Sequence, residues 1–363
     1  MSKESAELHI NFSVIQDNIS YLKTHISDHT NFLSVIKANA YGHELEEFVS
    51  RLNDFTDGFA VVRLDEAMKI RKISNKPILL MQGVYQQNEI DQVIEHNLMT
   101  VLHTHEQINL YKDIQSKTKI WIKFNTGMNR LGFQINEADQ IQSFINDQNV
   151  LMTHLASSDV PSDPSNQKQM SKFQDLYDSF STKPERSILN SSGVINFPSH
   201  AYDWVRCGIG LYGGVSGVSE LKTAVTFKSK IISINKIKKG DAVGYGGRIR
   251  AKQDMSIAVV YCGYADGFPQ SALDGTSVRI NDKEAKMFGR VSMDLITIDI
   301  THLNDVKFGD WVEFWSPQHS INKFADYNKL ISYELMTRID RRVRRVIYAV
   351  SYTHLTLPTS HLV

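Results

Sequence analysis

From the start of the chain to about residue 222, short apolar runs rich in β-branched residues alternate with segments whose apolar positions fall three and four apart. The runs FLSVIKAN, GFAVV, PILLMQG, MTVLH, KIWIKFN, VLMTHLA, RSILN and VRCGIGLY predict eight strands. LDEAMKIRKI, NEIDQVIEHN and QKQMSKFQDLYDSF predict helices between them. Eight strands separated by helices is an α/β pattern that predicts an N-terminal (β/α)8 TIM barrel over residues 1–222. Beyond that point the texture changes. TFKSKIISINKI, MSIAVVYC, SVRIND, KMFGRVSMDLITIDI and DWVEFW read as strands parted by Gly, Asp or Lys turns, with one helical stretch, NKLISYELMTRI, near the end. Residues 223–350 are therefore expected to form a C-terminal, mostly-β domain. Residues 351–363, SYTHLTLPTSHLV, break with what precedes them and are read as a non-native tail.

Composition narrows the function without changing the fold. A chain of 363 residues is long for one core, in keeping with two domains. Lys plus Arg equals Asp plus Glu at 40 each, so nothing in the overall charge favours a nucleic-acid partner. The local cluster Arg338, Arg341, Arg342, Arg344 and Arg345 has no aromatic stacking platform beside it and reads as a solvated or interdomain face. Cys207 and Cys262 suit neither a disulfide framework nor a metal-ligand spacing, and no metal is expected. No apolar signal core or membrane-length apolar run is visible, so no membrane partner and a cytoplasmic location are expected.

In such a barrel, chemistry gathers where strands end and loops begin. The first predicted strand delivers Lys37, then Tyr41 and His43. The fifth delivers Lys123, then Asn125 through Arg130, and the sixth delivers His154. The seventh delivers Asn190, Ser191, Ser192 and Gly193, and the eighth Arg206, Gly208, Ile209 and Gly210. Singly, each has an ordinary structural explanation, such as a solvated strand-end lysine or a satisfied core histidine. Together on one rim, they suit a phosphate-bearing aromatic cofactor held over an amine.

VIKANAYGH resembles the lysine signature of the pyridoxal-phosphate (PLP) dependent alanine racemases. KFNTGMNRLGF, NSSG and VRCGIGLYG resemble further blocks of that family, as do GYADGFP, GRVSMD and YELMTRIDRRVRR in the β domain. The similarity runs essentially from residue 7 to 348. It implies an isomerase that interconverts L- and D-alanine with PLP, supplies D-alanine for peptidoglycan, and works as a homodimer with shared active sites. Lys37 would carry PLP and serve as one base, and Tyr264, contributed across the dimer, as the other. Racemisation takes a proton from one face of the α-carbon and returns one to the opposite face, which two opposed bases accomplish without the substrate tumbling.

By the same resemblance, Tyr41, Ser191, Gly208 and Ile209 would cradle the phosphate. Arg206 would face the pyridine nitrogen, with His154 hydrogen-bonded behind it. A unit charge about 4 Å from that nitrogen opposes its protonation by roughly 4 kcal/mol at an effective dielectric of about 20, enough to keep the ring neutral. Arg130 would hold the cofactor's phenolate oxygen and the substrate carboxylate, which the Met293 backbone would also meet, with Arg290 and Asp294 in support. Lys123 matches a position that is carbamylated in many members and then fixes Arg130. Asn125 and Arg341 depart from the family pattern, standing where an aspartate and, in some members, a phosphate-binding tyrosine occur. Rival readings within the same architecture are a broad-specificity or serine racemase, and a decarboxylase. A non-catalytic PLP-binding protein is a rival of another class, against which the β domain with Tyr264 speaks.

Overall fold

The computed structural model describes residues 6–348, so the 351–363 tail lies outside the described residues. After β1 (Ala6–Asn11) and a helix at Phe12–Lys23 come eight strands: β2 (Asn31–Val35), β3 (Gly58–Val61), β4 (Ile78–Leu80), β5 (Met99–Leu102), β6 (Ile120–Lys123), β7 (Val150–Met152), β8 (Glu185–Ser187) and β9 (Trp204–Cys207). Each overlaps one of the eight predicted runs, with β2, β8 and β9 starting one residue earlier. They form a parallel sheet in the order β8-β7-β6-β5-β4-β3-β2-β9. A parallel bridge between Asn190 and Arg206, just past β8, links its ends, and Ser187 Oγ donates to the Trp204 carbonyl at 2.8 Å.

The barrel forms because most of its strands carry apolar side chains on both faces. Phe32, Leu33, Phe59, Ile78, Val101, Trp121 and Val150 are all inaccessible to solvent, as expected for strands filled from within and covered by helices from without. The predicted helices are present at Leu64–Arg71, Gln87–Glu95 and Pro164–Ser179. The last is started by Asp163, whose side chain accepts from Ser165 N at 2.8 Å, with proline at the first helical position. Its Met170, Phe173 and Leu176 face the barrel.

The second unit is built on β10 (Val225–Ile237), a small hairpin of β11 (Ala242–Val243) and β12 (Ile249–Arg250), then β13 (Met255–Val260), β14 (Ser277–Ile280), β15 (Lys283–Met287), β16 (Ile296–Asp299), β17 (Trp311–Trp315) and β18 (Arg344–Tyr348). Its sheet runs β13-β16-β15-β14-β17-β10-β1-β18, and β10 also pairs with β13. The long β10 makes this closure possible: Val225–Lys230 lies beside β1 and β17, while Ile231–Ile237 turns to β13. Phe227, Phe268, Phe314, Trp315 and Phe324 fill its interior.

Three details differ from the periodicity reading. KMFGRVSMDLITIDI is two strands, because Gly289 (φ +109) turns the chain out of β15 into a loop that carries Arg290, Met293 and Asp294 before β16. NKLISYELMTRI is not one helix: a helix at Ile321–Asn328 stops at Lys329 (φ +55), and another begins at Ser332 and runs to Thr337. Leu330 N returns to Ala325 O at 2.9 Å, closing off the first helix with a left-handed cap. Finally β1, which a division at residue 222 groups with the barrel, is hydrogen-bonded in the second sheet, antiparallel to β10 and parallel to β18. Among the described residues, no helix is long and apolar enough to cross a membrane, and no three His, Cys, Asp or Glu side chains are grouped to hold a metal ion.

Candidate active site

At the end of β2 the backbone does something L-residues avoid. Ala38, Asn39, Ala40 and Tyr41 take φ values of +54°, +55°, +53° and +54°, at a steric cost of roughly 1–2 kcal/mol per residue. The turn is held from several sides. Ala40 N donates to Ile36 O at 2.8 Å, Asn39 N to Glu66 Oε1 at 3.3 Å, and Leu45 N to Asn39 Oδ1 at 2.9 Å. His43 Nδ1 lies 2.9 Å from the Tyr41 carbonyl and 3.1 Å from that of Ala40, so that nitrogen carries the proton. Burial pushes the His43 pKa down to about 4, which keeps the ring neutral. Gly42 (φ +81°) closes the turn beneath the Met336 carbonyl, where a Cβ would fall at 2.7 Å. The outcome is that Lys37 and Tyr41 both face one cleft.

That cleft, about 830 Å³, opens at the carboxyl ends of the barrel strands and is roofed by residues 322–333 of the second unit. Lys37, Tyr41, Lys123, Arg130, His154, Ser191, Arg206, Gly208 and Ile209 all line it. Burial and the nearby Arg130 lower the Lys37 pKa, while Glu66 partly opposes them. Lys123 is brought down to about 8 by burial and by Arg206, Arg130 and Lys37. Arg206 is 3% exposed, and burial lowers it to about 10, so its guanidinium stays charged at neutral pH. Its donors reach Ser187 Oγ at 2.5 Å, Thr153 O at 2.7 Å, Ile188 O at 3.4 Å and His154 Nδ1 at 3.3 Å. Burial and that same guanidinium hold His154 well below its ordinary pKa. A neutral His154 that accepts at Nδ1 carries its proton on Nε2.

At one side of the floor, Ser191 Oγ accepts from Gly208 N at 2.9 Å and from Gly210 N at 3.1 Å. With both lone-pair directions engaged, its hydroxyl hydrogen is left to donate to something else. Gly208 is required beside it, since a Cβ there would stand 2.6 Å from the Tyr41 hydroxyl. Arg130 is carried on a loop closed by Asn125 N to Phe133 O and Phe133 N to Lys123 O, each 2.9 Å. Asn125 shapes the loop from within, its Oδ1 accepting from Gly127 N at 3.1 Å and Asn129 N at 2.9 Å. Two carboxylates also line the cleft: Asp326 accepts from Ser216 Oγ, and Asp159 adds to the burial that raises Tyr333 to about 12. A floor with four cationic side chains and a hydroxyl–glycine cradle fits an anionic, phosphate-bearing group over Lys37.

Tyr264 and Met293 are not among the residues lining this cleft. They sit together on the second unit, 40% and 54% exposed, joined by Tyr264 N to Ser292 O and Ala265 N to Met293 O, each 3.0 Å. Asp294 is ion-paired to Arg342, and neither Arg290 nor the exposed Arg341 lines the cleft. Glu66, Tyr333 and Asp159 had no role in the sequence reading. Tyr333 stands inside the YELMTRIDRRVRR block, and Glu66 looks like any first-turn helix glutamate.

The N-terminal domain model of alanine racemases matches residues 10–216, and the C-terminal domain model of the same family matches residues 224–347. An alanine racemase of Nitrosomonas eutropha is 35% identical over 350 residues, covering 92% of this chain and 96% of that protein. Among solved structures, the biosynthetic alanine racemase from Pseudomonas aeruginosa superposes with a TM-score of 0.90 at 30% identity, over 95% of this chain and 100% of that one. An alanine racemase from Bartonella henselae with covalently bound pyridoxal phosphate gives a TM-score of 0.87 at 26% identity, over 95% and 99% of the two chains. With both of its domains matched over nearly all the described residues, the chain belongs to the alanine racemase family.

Proposed function

We propose that this protein interconverts L- and D-alanine with PLP by a two-base route, as a cytoplasmic homodimer, and so supplies D-alanine for peptidoglycan. The observation that carries this reading is the cleft lining, where an amine of lowered pKa shares one cavity with a hydroxyl–glycine cradle and two arginines. PLP, when bound, withdraws electrons and so stabilises negative charge at the substrate's α-carbon. Lys37 would hold the cofactor, and its Nζ would take or return the α-proton on one face. Tyr41, Ser191 and the backbone of Gly208 and Ile209 hold the phosphate. Arg206, oriented by Ser187 and His154, would present positive charge to the pyridine nitrogen and so disfavour its protonation. Arg130 binds the phenolate oxygen and the substrate carboxylate, and the Met293 backbone meets the same carboxylate.

Tyr264 is the base on the opposite face. Because it does not line its own chain's cleft, the partner's Tyr264 turn must supply it, and this is what calls for a dimer. Lys123 is proposed to be carbamylated: its free amine attacks CO2, an N–C bond forms as one C=O π bond breaks onto oxygen, and the nitrogen loses a proton to water. The resulting anion sits among Arg130, Arg206 and Lys37 in place of a fourth positive charge.

The test is a racemisation assay on purified protein with L-alanine, L-serine and L-lysine, following the visible absorbance of bound cofactor, with Lys37→Ala as control. The expected result is alanine as the preferred substrate, with turnover lost in Lys37→Ala. Serine or lysine in first place would replace the substrate assignment with a serine or broad-specificity racemase. Cofactor absorbance without racemisation of any substrate would overturn the enzyme reading.

A further inference from the structure

We propose that Arg342 is a positioning residue: it clamps the turn bearing Tyr264 to the loop bearing Met293, so that both enter the partner's cleft as one piece. The inference rests on the shared-site dimer of the preceding section. Asp266, two residues past Tyr264, has a fully buried side chain. One carboxylate oxygen accepts from Gly263 N at 2.8 Å, fixing the start of the turn, and the other accepts from Arg342 Nε at 2.8 Å. The far end of the same guanidinium, Nη2, donates to Asp294 Oδ1 at 2.5 Å, on the loop one residue past Met293. Arg342 is itself anchored: its N–H donates to Asp340 Oδ1 at 2.9 Å, and Asp340 N donates to Asp266 O at 3.1 Å.

The turn and the loop also meet directly. Gly263 lies so close to Met293 that a Cβ would fall 2.2 Å from its carbonyl oxygen. Arg342 is thus a cross-brace between two carboxylates, one of them on each of the two segments assigned to the partner's site. A planar guanidinium suits this role, because its Nε and Nη2 offer separate N–H donors at a fixed spacing, one for each carboxylate. The phenol ring magnifies any tilt of the turn, and about 1 Å of displacement at a reacting group lowers the rate by about a hundredfold.

The test uses Arg342→Ala and Arg342→Lys, alone and in hybrid dimers with Lys37→Ala, beside a control hybrid of Lys37→Ala with Tyr264→Phe. Alone, the Arg342 variants are expected to lose about a hundredfold in kcat while keeping the absorbance of bound cofactor. In the hybrid, one site combines the native Lys37 of one chain with the native Tyr264 turn of the other, so activity is expected to return. Return in the control but not in the Arg342 hybrids would overturn the brace and leave the shared site standing. No return in either would overturn the shared site, and the brace with it. Arg342→Lys keeps a cation beside the buried Asp266, so it carries the test if Arg342→Ala does not fold. In deuterated water, slowed α-proton exchange for one enantiomer more than the other supports the brace, because Tyr264 serves one face. Equal slowing of both, with cofactor loss, would overturn it.

Discussion

Lys123 poses the sharpest question among single residues. It is 7% exposed and surrounded by Lys37, Arg130 and Arg206, and its pKa of about 8 leaves roughly a tenth of it as free amine at neutral pH. The free amine is the form that captures CO2, so carbamate formation should rise as pH increases through about 8 and fall away below it. Carbon NMR with labelled bicarbonate should show a carbamate signal that strengthens over that range and is missing from Lys123→Ala. A spectrum with no Lys123-dependent signal above that pH would remove the carbamate from the site. At this scale, chemistry-bearing residues were legible where they ended a recognisable strand, as Lys37, Lys123 and Arg206 do. Those defined by a contact distant in sequence were not. Nothing around Glu66 announces that it will receive the Asn39 N–H from a turn 27 positions earlier.

Among the elements, the left-handed turn after β2 matters most, because it aims Lys37 and Tyr41 together against an unfavourable backbone preference. Gly42 is where it meets the second unit. Gly42→Ala would put a side chain at φ +81° and a Cβ 2.7 Å from the Met336 carbonyl. It should cost about 1–3 kcal/mol, lower the thermal midpoint, and weaken cofactor binding more than Gly217→Ala, which shares the left-handed φ (+80°) but meets nothing within 4 Å. Thermal melts and cofactor titration of the two variants would show it, and equal behaviour would mean that the turn tolerates displacement. The barrel strands were legible because a buried parallel strand is written as a compact apolar run. The turn was invisible because Ala-Asn-Ala-Tyr has no glycine to mark positive φ. The double helix at 321–337 was hidden for the same reason, since Lys329 takes a left-handed cap that its side chain does not advertise.

For the whole molecule, the proposed two-base route, with a cleft in one chain and Tyr264 exposed outside it, would make catalysis depend on association. Specific activity should fall on dilution through the dimer dissociation range, while the absorbance of bound cofactor persists, because every residue assigned to hold it lies in one barrel. Activity independent of concentration down to demonstrable monomer would show that Tyr264 is not shared. The two-part architecture was legible in the switch of texture near residue 222. The membership of β1 was not, because a six-residue strand carries no mark of which sheet it will join.

That first strand has a consequence for how the protein is made. β1 leaves the ribosome before any barrel strand, yet its partners, β10 and β18, are specified some 210 and 330 residues later. Most barrel strands pair with the strand made just before them, whereas β1 waits with both edges unpaired until β10 is made, and with one edge still open until Arg344–Tyr348 follows. Completion of the second sheet therefore reports that the chain has been made as far as Tyr348. A message truncated before Arg344 would leave a folded barrel trailing a half-satisfied strand, the kind of open edge that chaperones and aggregates both recognise.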